Sequence, residues 1–113
     1  MLYAVTLTYL TQPDAISAHL DAHKQWLVRG FKEGKILFAG PLSNHAGGYI
    51  LFKGDNASEI QHCLQDDPFI MHNIADAEIM GIEPALCAQG FPEKWAEKAR
   101  FIVSVVSAPS GRS

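Results

Sequence analysis

Residues 35–53 read KILFAGPLSNHAGGYILFK. Two runs rich in apolar, aromatic and branched residues, KILFAG at 35–40 and GYILFK at 48–53, flank a polar, glycine-bearing loop that follows Gly40-Pro41. Such runs bounded by turn residues predict strands, and so short a connection predicts an antiparallel hairpin.

Upstream, LYAVTLTY at 2–9 has the composition of a further strand, broken by Thr11-Gln12-Pro13-Asp14. Pro13 suits a first helical position, and a 3.6-residue apolar period then runs to Lys32 or Glu33, where Gly34 ends it. Downstream, Gly54-Asp55-Asn56 predicts a turn, and Asn56 or Ser58 can cap a helix over 57–65 with Ile60, Cys63 and Leu64 facing inward. Asp66-Asp67-Pro68 breaks that helix, and Phe69–Asn73 reads as one further turn. ADAEIMGIE at 75–83 reads as the last strand, closed by Pro84. The order is β-α-β-β-α-β. It predicts an α+β, ferredoxin-like domain: a four-stranded antiparallel sheet with both helices on one face.

Both faces of that sheet are apolar. Leu2 and Ala4 alternate with Val5 and Leu7, Tyr49 and Leu51 with Ile50 and Phe52, and Met80 and Ile82 with Ile79. An antiparallel sheet with one wet face alternates between polar and apolar instead. Two helices cover one face only, so a second copy of the chain is expected over the other, giving a homodimer with its sheets face to face.

The 113 residues fit one domain, and 48% of them are apolar, enough for one modest core. The net charge of -3 and the scattered Lys and Arg exclude a nucleic-acid interface. No apolar run is long enough to span a membrane. The start, Met1-Leu2-Tyr3-Ala4, lacks the charged region of a signal peptide and reads as strand. Cys63 and Cys87 form no CxxC pair and are expected as reduced thiols of a cytoplasmic protein. Residues 85–113 form a partly flexible extension to a domain at 1–84. In that extension Phe91-Pro92-Glu93 starts a possible helix with Trp95 and Ala99 on one side, FIVSVV at 101–106 has strand character, and SAPSGRS at 107–113 reads as a frayed tail.

The most informative single residue is His23. It interrupts the apolar stripe Ile16, Leu20, Leu27, Phe31 of the first helix. An imidazole there needs a partner, because an unsatisfied buried polar group is costly. Asp67 follows the second helix, which should lie beside the first, so the two side chains can meet at the edge of the core. An aspartate that accepts from one ring nitrogen leaves the other free as base or acid. The structural reading stands beside this one: His23 as a satisfied core histidine, and Asp67 as an N-cap with Pro68 at the first helical position.

The chain resembles the YciI-like family, also called YCII-related, of dimeric α+β barrel proteins. The resemblance is carried by Met1-Leu2-Tyr3-Ala4-Val5, Ala22-His23-Lys24-Gln25-Trp26-Leu27, Gly34–Pro41, Gly48–Phe52, Asp66-Asp67-Pro68-Phe69 and the closing Glu-Pro. It covers residues 1–84, beyond which this chain departs from the shorter members. It implies a His-Asp active site, here His23 and Asp67. It also implies chemistry without metal or organic cofactor, which some members direct at chlorinated aromatics.

Other residues have weaker claims. His19 and His23 have metal-ligand spacing, but the Glu of a zinc-protease motif is missing, so no metal is expected. Trp26, beside His23, and Phe69, beside Asp67, would make the cleft partly aromatic. Pro41, Ser43 and His45 in the loop after the second strand, and His72 after Asp67, are candidate substrate contacts. Asn44 is an ordinary polar loop residue that can also donate to a substrate oxygen. No phosphate-binding glycine motif and no serine elbow is present.

The expected function is acid–base catalysis on a small organic molecule, including aromatic ones: proton transfer, isomerisation or elimination. His23 acts as acid or base and Asp67 orients it. The alternative is a non-catalytic ligand-binding or assembly module in which the two residues form a structural pair.

Overall fold

The computed structural model describes residues 1–103. Four strands, β1 (Leu2–Tyr9), β2 (Ile36–Pro41), β3 (Gly47–Lys53) and β4 (Ala75–Ile82), form one sheet in the order β2-β3-β1-β4. Every pairing in it is antiparallel. Two helices, α1 (Pro13–Lys32) and α2 (Ala57–Leu64), and a single turn α3 (Pro68–Met71) complete the domain. The fold is ferredoxin-like α+β.

Alternation along the strands builds the core. Tyr3, Val5 and Leu7 point to one face of β1, beside Ile50 and Phe52 of β3. Trp26 of α1, Ile60 and Leu64 of α2 and Phe69 of α3 close over them in one buried cluster. Gly34, with φ +75°, ends α1 through a bond from its N–H to the Phe31 carbonyl. Asn56 caps α2 by accepting from the Glu59 N–H at 2.9 Å.

Three local features of the hairpin depart from the simple strand reading. The β2 strand starts at Ile36 and continues through Pro41. Proline is tolerated there because β2 is an edge strand. Between Ile36 and Phe38 the register shifts, leaving Leu37 as the extra residue of a bulge. As a result Ile36 and Ala39 both face the helices, opposite Phe52 and Ile50, while Phe38 points to the far face opposite Leu51. The β3 strand starts one residue early, at Gly47, where a Cβ would collide with the Leu7 carbonyl. Only glycine permits that approach of β3 to β1.

On the far face no helix among the described residues covers the sheet. Phe38 is 53% exposed, Met80 62% and Ile82 43%. Phe38 leans on Tyr49, with ring centroids 5.5 Å apart.

The stripe of α1 is corrected in one respect. Its buried line runs through His23, Trp26 and Gly30, whereas Phe31, expected inside, is 41% exposed. Gly30 is the cause: lacking a side chain, it lets Ile36 pack against the helix backbone.

Beyond β4, β5 (Leu86–Ala88) pairs in parallel with β6 (Arg100–Ile102). The helix expected from Phe91-Pro92-Glu93 is only a 3-10 turn, Glu93–Trp95, with Phe91 and Trp95 edge to face. At Ala96 the backbone leaves helical geometry, at φ -147° and ψ 55°. The expected strand at 101–106 is realised in its first two residues and begins one residue earlier. Residues 104–106, and the tail at 107–113, lie outside the described residues.

Candidate active site

His23 lies midway along α1 and faces the sheet, 8% exposed. Asp67, between α2 and α3, is fully buried. The pair meets: Nδ1 of His23 lies 2.7 Å from Oδ1 of Asp67. The same Oδ1 accepts from the Phe69 N–H at 3.0 Å, capping α3, and Pro68 occupies the first position of that turn. The capping geometry thus holds the carboxylate where the imidazole needs it. The other carboxylate oxygen, Oδ2, is buried with no hydrogen-bond partner among the described residues.

Oδ1 acts as an acceptor for Phe69, and a carboxylate has only acceptors to offer when ionised. Nδ1 must then donate, which leaves the lone pair on Nε2. No described residue bonds to Nε2. The ring is also held sterically. Phe69 stacks on it with a centroid distance of 4.0 Å and a 3° angle between planes, and Trp26 lies 5.9 Å away.

His23 forms part of the wall of a cavity of about 520 Å³ between α1 and the sheet. The helix contributes Leu20, Lys24, Leu27 and Phe31 beside it. Leu7 and Tyr9 of β1, the Ala39–Pro41 end of β2 and the start of β3 form the floor, and Phe69 closes one side. The walls are mostly apolar, which suits a small organic ligand with few polar groups.

The other residues singled out from the sequence are dispersed. Pro41 lies on the cavity wall. Trp26 is buried against the dyad but faces a second cavity of about 780 Å³ between α1 and α2, with Arg29 and Glu33. Ser43 and His45 are exposed in the β2–β3 loop and are not part of the wall around His23. His45 adopts the left-handed conformation, φ 61°, and Asn44 accepts from the Ala46 N–H, so this loop is organised by its own turn. His72 is the C-cap of α3, exposed, and stacks on His19 at 4.3 Å rather than turning toward the cavity. No group of three or more His, Cys, Asp or Glu that could hold a metal gathers among the described residues. No helix among them is long and apolar enough to cross a membrane.

Lys24 and Tyr9 on the wall were not singled out from the sequence. Lys24 carried a readable signal: it neighbours His23 and has apolar residues four positions away on both sides, Leu20 and Val28. Its one acidic neighbour at helical spacing is Asp21, three residues before it, and the two form no ion pair among the described residues. Tyr9 carried none beyond its place at the end of a strand. Cys63 lines the second cavity, and burial pushes its thiol above the ordinary range. A thiol held protonated is a poor nucleophile.

The YCII-related domain profile matches residues 1–83. The chain belongs to that family. No curated protein sequence matches it significantly. Among solved structures it is similar to 5-chloro-2-hydroxyhydroquinone dehydrochlorinase from Burkholderia phenoliruptrix, in complex with 2,5-dihydroxybenzoquinone. There the TM-score is 0.59 at 16% identity, covering 75% of this chain and 96% of that one. A muconolactone isomerase gives a TM-score of 0.59 at 20% identity, covering 74% and 88%. An antibiotic biosynthesis monooxygenase gives 0.52 at 12%, covering 74% and 100%. At these identities the likeness is one of fold. The YCII-related region ends with the main sheet, so the β5–β6 segment lies beyond it.

Proposed function

We propose that this YCII-related protein is an enzyme that moves a proton on a small, largely apolar organic molecule. The observation that carries this reading is the 2.7 Å bond between Nδ1 of His23 and the buried Asp67 carboxylate, with the same imidazole on a cavity wall. In this reading Nε2 removes a proton from a carbon or hydroxyl of the bound molecule. Asp67 stabilises the charged ring that results. The ring then returns the proton elsewhere on the substrate, giving isomerisation, or to a departing group, giving elimination. Two structural neighbours, a dehydrochlorinase and a lactone isomerase, carry names that fit these two outcomes and define a first substrate panel.

The test is to incubate the protein in deuterated water with hydroxylated chloroaromatics and unsaturated lactones and to follow C–H exchange and product by NMR. Exchange or turnover is expected with the parent. His23→Gln is expected to lower it by at least ~10²-fold, the loss typical of a positioned acid–base group. A His23→Gln protein as active as the parent would exclude the proposal.

The capping bond to Phe69 favours a second reading, a structural pair without turnover. It is separated from the first by the Asp67 variants discussed below.

We also infer that the protein is a homodimer joined through its uncovered sheet face. The apolar patch that includes Phe38, Met80 and Ile82 supports this, because monomers rarely leave such faces in water. Met80→Glu combined with Phe38→Glu is expected to yield monomers in size-exclusion chromatography with light scattering. A parent protein that is monomeric at micromolar concentration, or a variant as dimeric as the parent, would defeat the inference.

A further inference from the structure

We propose that the cavity beside His23 binds a small, largely apolar ligand bearing one oxyanion, a carboxylate or an ionised phenol, held by the ammonium of Lys24. This names a substrate class for the site assigned above and rests on that assignment for its location. It does not depend on His23 being catalytic.

The charges on the wall carry the inference. The chain as a whole is acidic, with a net charge of -3. The cavity is the reverse: no aspartate or glutamate lines it, and Lys24 is its one permanently charged residue. Asp67 stands behind the imidazole at 0% exposure and is not part of the wall. Lys24 forms no ion pair among the described residues, where the pairs are His23 with Asp67 and Lys35 with Glu33. Lys24 is thus committed to no ion pair, on the wall of a largely apolar space.

That arrangement discriminates by charge. A neutral apolar ligand gains nothing from the ammonium. An oxyanion brought beside it keeps a charged hydrogen-bond donor in exchange for part of its hydration, and charge-assisted bonds are the stronger kind. Leu20 and Leu27 flank Lys24 on the same helix face and would hold the apolar body of the ligand. Lys24 is also the chain neighbour of His23. An anion placed at Lys24 would therefore put the body of the molecule within the same wall as the imidazole. The larger cavity between α1 and α2 offers a contrast: Arg29 and Lys35 there are outnumbered by Glu33, Glu59 and Asp66, so its lining does not favour an anion.

The experiment uses the whole protein and two pairs of probes matched in shape. One pair is benzoate and benzamide; the other is 2,4-dinitrophenolate and 1,3-dinitrobenzene. Affinities are measured by titration calorimetry at low and high salt. The parent is expected to prefer each anion over its neutral partner by about 5–10-fold, a preference that shrinks with salt. A preference in one pair alone identifies which oxyanion the site takes. Lys24→Gln, a change at an exposed position, is expected to abolish the preference, and Lys24→Glu to reverse it. His23→Gln is expected to keep it, so loss of turnover and loss of anion selection are read separately. Equal binding of anion and neutral probe by the parent overturns the proposal. So does a preference that survives in Lys24→Gln, or failure of every probe to bind.

Discussion

Asp67→Asn is expected to fold like the parent and to lose about 10²- to 10⁴-fold in turnover. The amide is nearly the same size as the carboxylate, so it refits a site with no exposed surface. Its oxygen can still accept from the Phe69 N–H, preserving the cap of α3. What it cannot do is carry charge. Asparagine presents an oxygen acceptor and a nitrogen donor, and with the oxygen turned to Phe69 the NH₂ group meets few acceptors in that pocket. Turned instead to offer its NH₂ to Nδ1, it would force the ring proton onto Nε2, the nitrogen that must be free to accept. In the first orientation the ring loses its counter-charge; in the second it has the wrong tautomer. The measurement is steady-state turnover on whichever substrate the NMR panel identifies, with melting temperature recorded in parallel. An Asp67→Asn protein that melts like the parent and turns over like it would remove Asp67 from the mechanism. One that melts far lower would favour the structural pair.

Asp67→Ala is expected to cost about 3–5 kcal/mol of stability, whatever the function. The change removes both acceptor bonds at once. The cap of a helical turn accounts for roughly 1 kcal/mol. The remainder comes from leaving the Nδ1–H of an 8% exposed imidazole, and the Phe69 N–H, without acceptors in a closed site. Phe69 lies face to face with the same ring, so loosening α3 also loosens the stack. For a domain of this length the melting temperature should fall by on the order of 15 °C or more. Thermal and urea unfolding followed by circular dichroism measure it. Replacing the imidazole as well, in His23→Leu with Asp67→Ala, removes one stranded donor, and the double variant should be less destabilised than the sum of the single changes. Strict additivity would mean that the 2.7 Å contact contributes nothing.

Much of the architecture was legible in composition and period. The two apolar runs around Gly40-Pro41 and Gly47-Gly48 became β2 and β3, and Pro13 and Gly34 marked the ends of α1. Local rules suffice there because turn residues and caps act within a few positions of the chain. The bulge at Leu37 was not legible, since it depends on how β2 meets β3. Nor was the exposure of Phe31, which follows from Gly30 letting Ile36 against the helix backbone. The short segment after Pro84 misled because its aromatic residues satisfy one another locally, Phe91 against Trp95, without building a helix.

For the candidate site the division is similar. A histidine in an apolar stripe and an aspartate before a proline were visible in the chain. Their 44-residue separation in sequence means that only the packing of α3 against α1 decided whether they touch. The same packing turned His72 toward His19, whereas His45 is held by the local turn of its own loop. The seating of α1 over the sheet placed Lys24, rather than any loop residue, at the cavity wall. The sequence by itself determined the order of elements, the capping chemistry at Asp67 and the two apolar faces of the sheet, because these depend on neighbours a few residues apart. The tertiary structure alone decided the Nδ1–Oδ1 bond, the stack of Phe69 on the ring and the charge of the cavity wall. Each of these depends on side chains that meet only after distant segments pack.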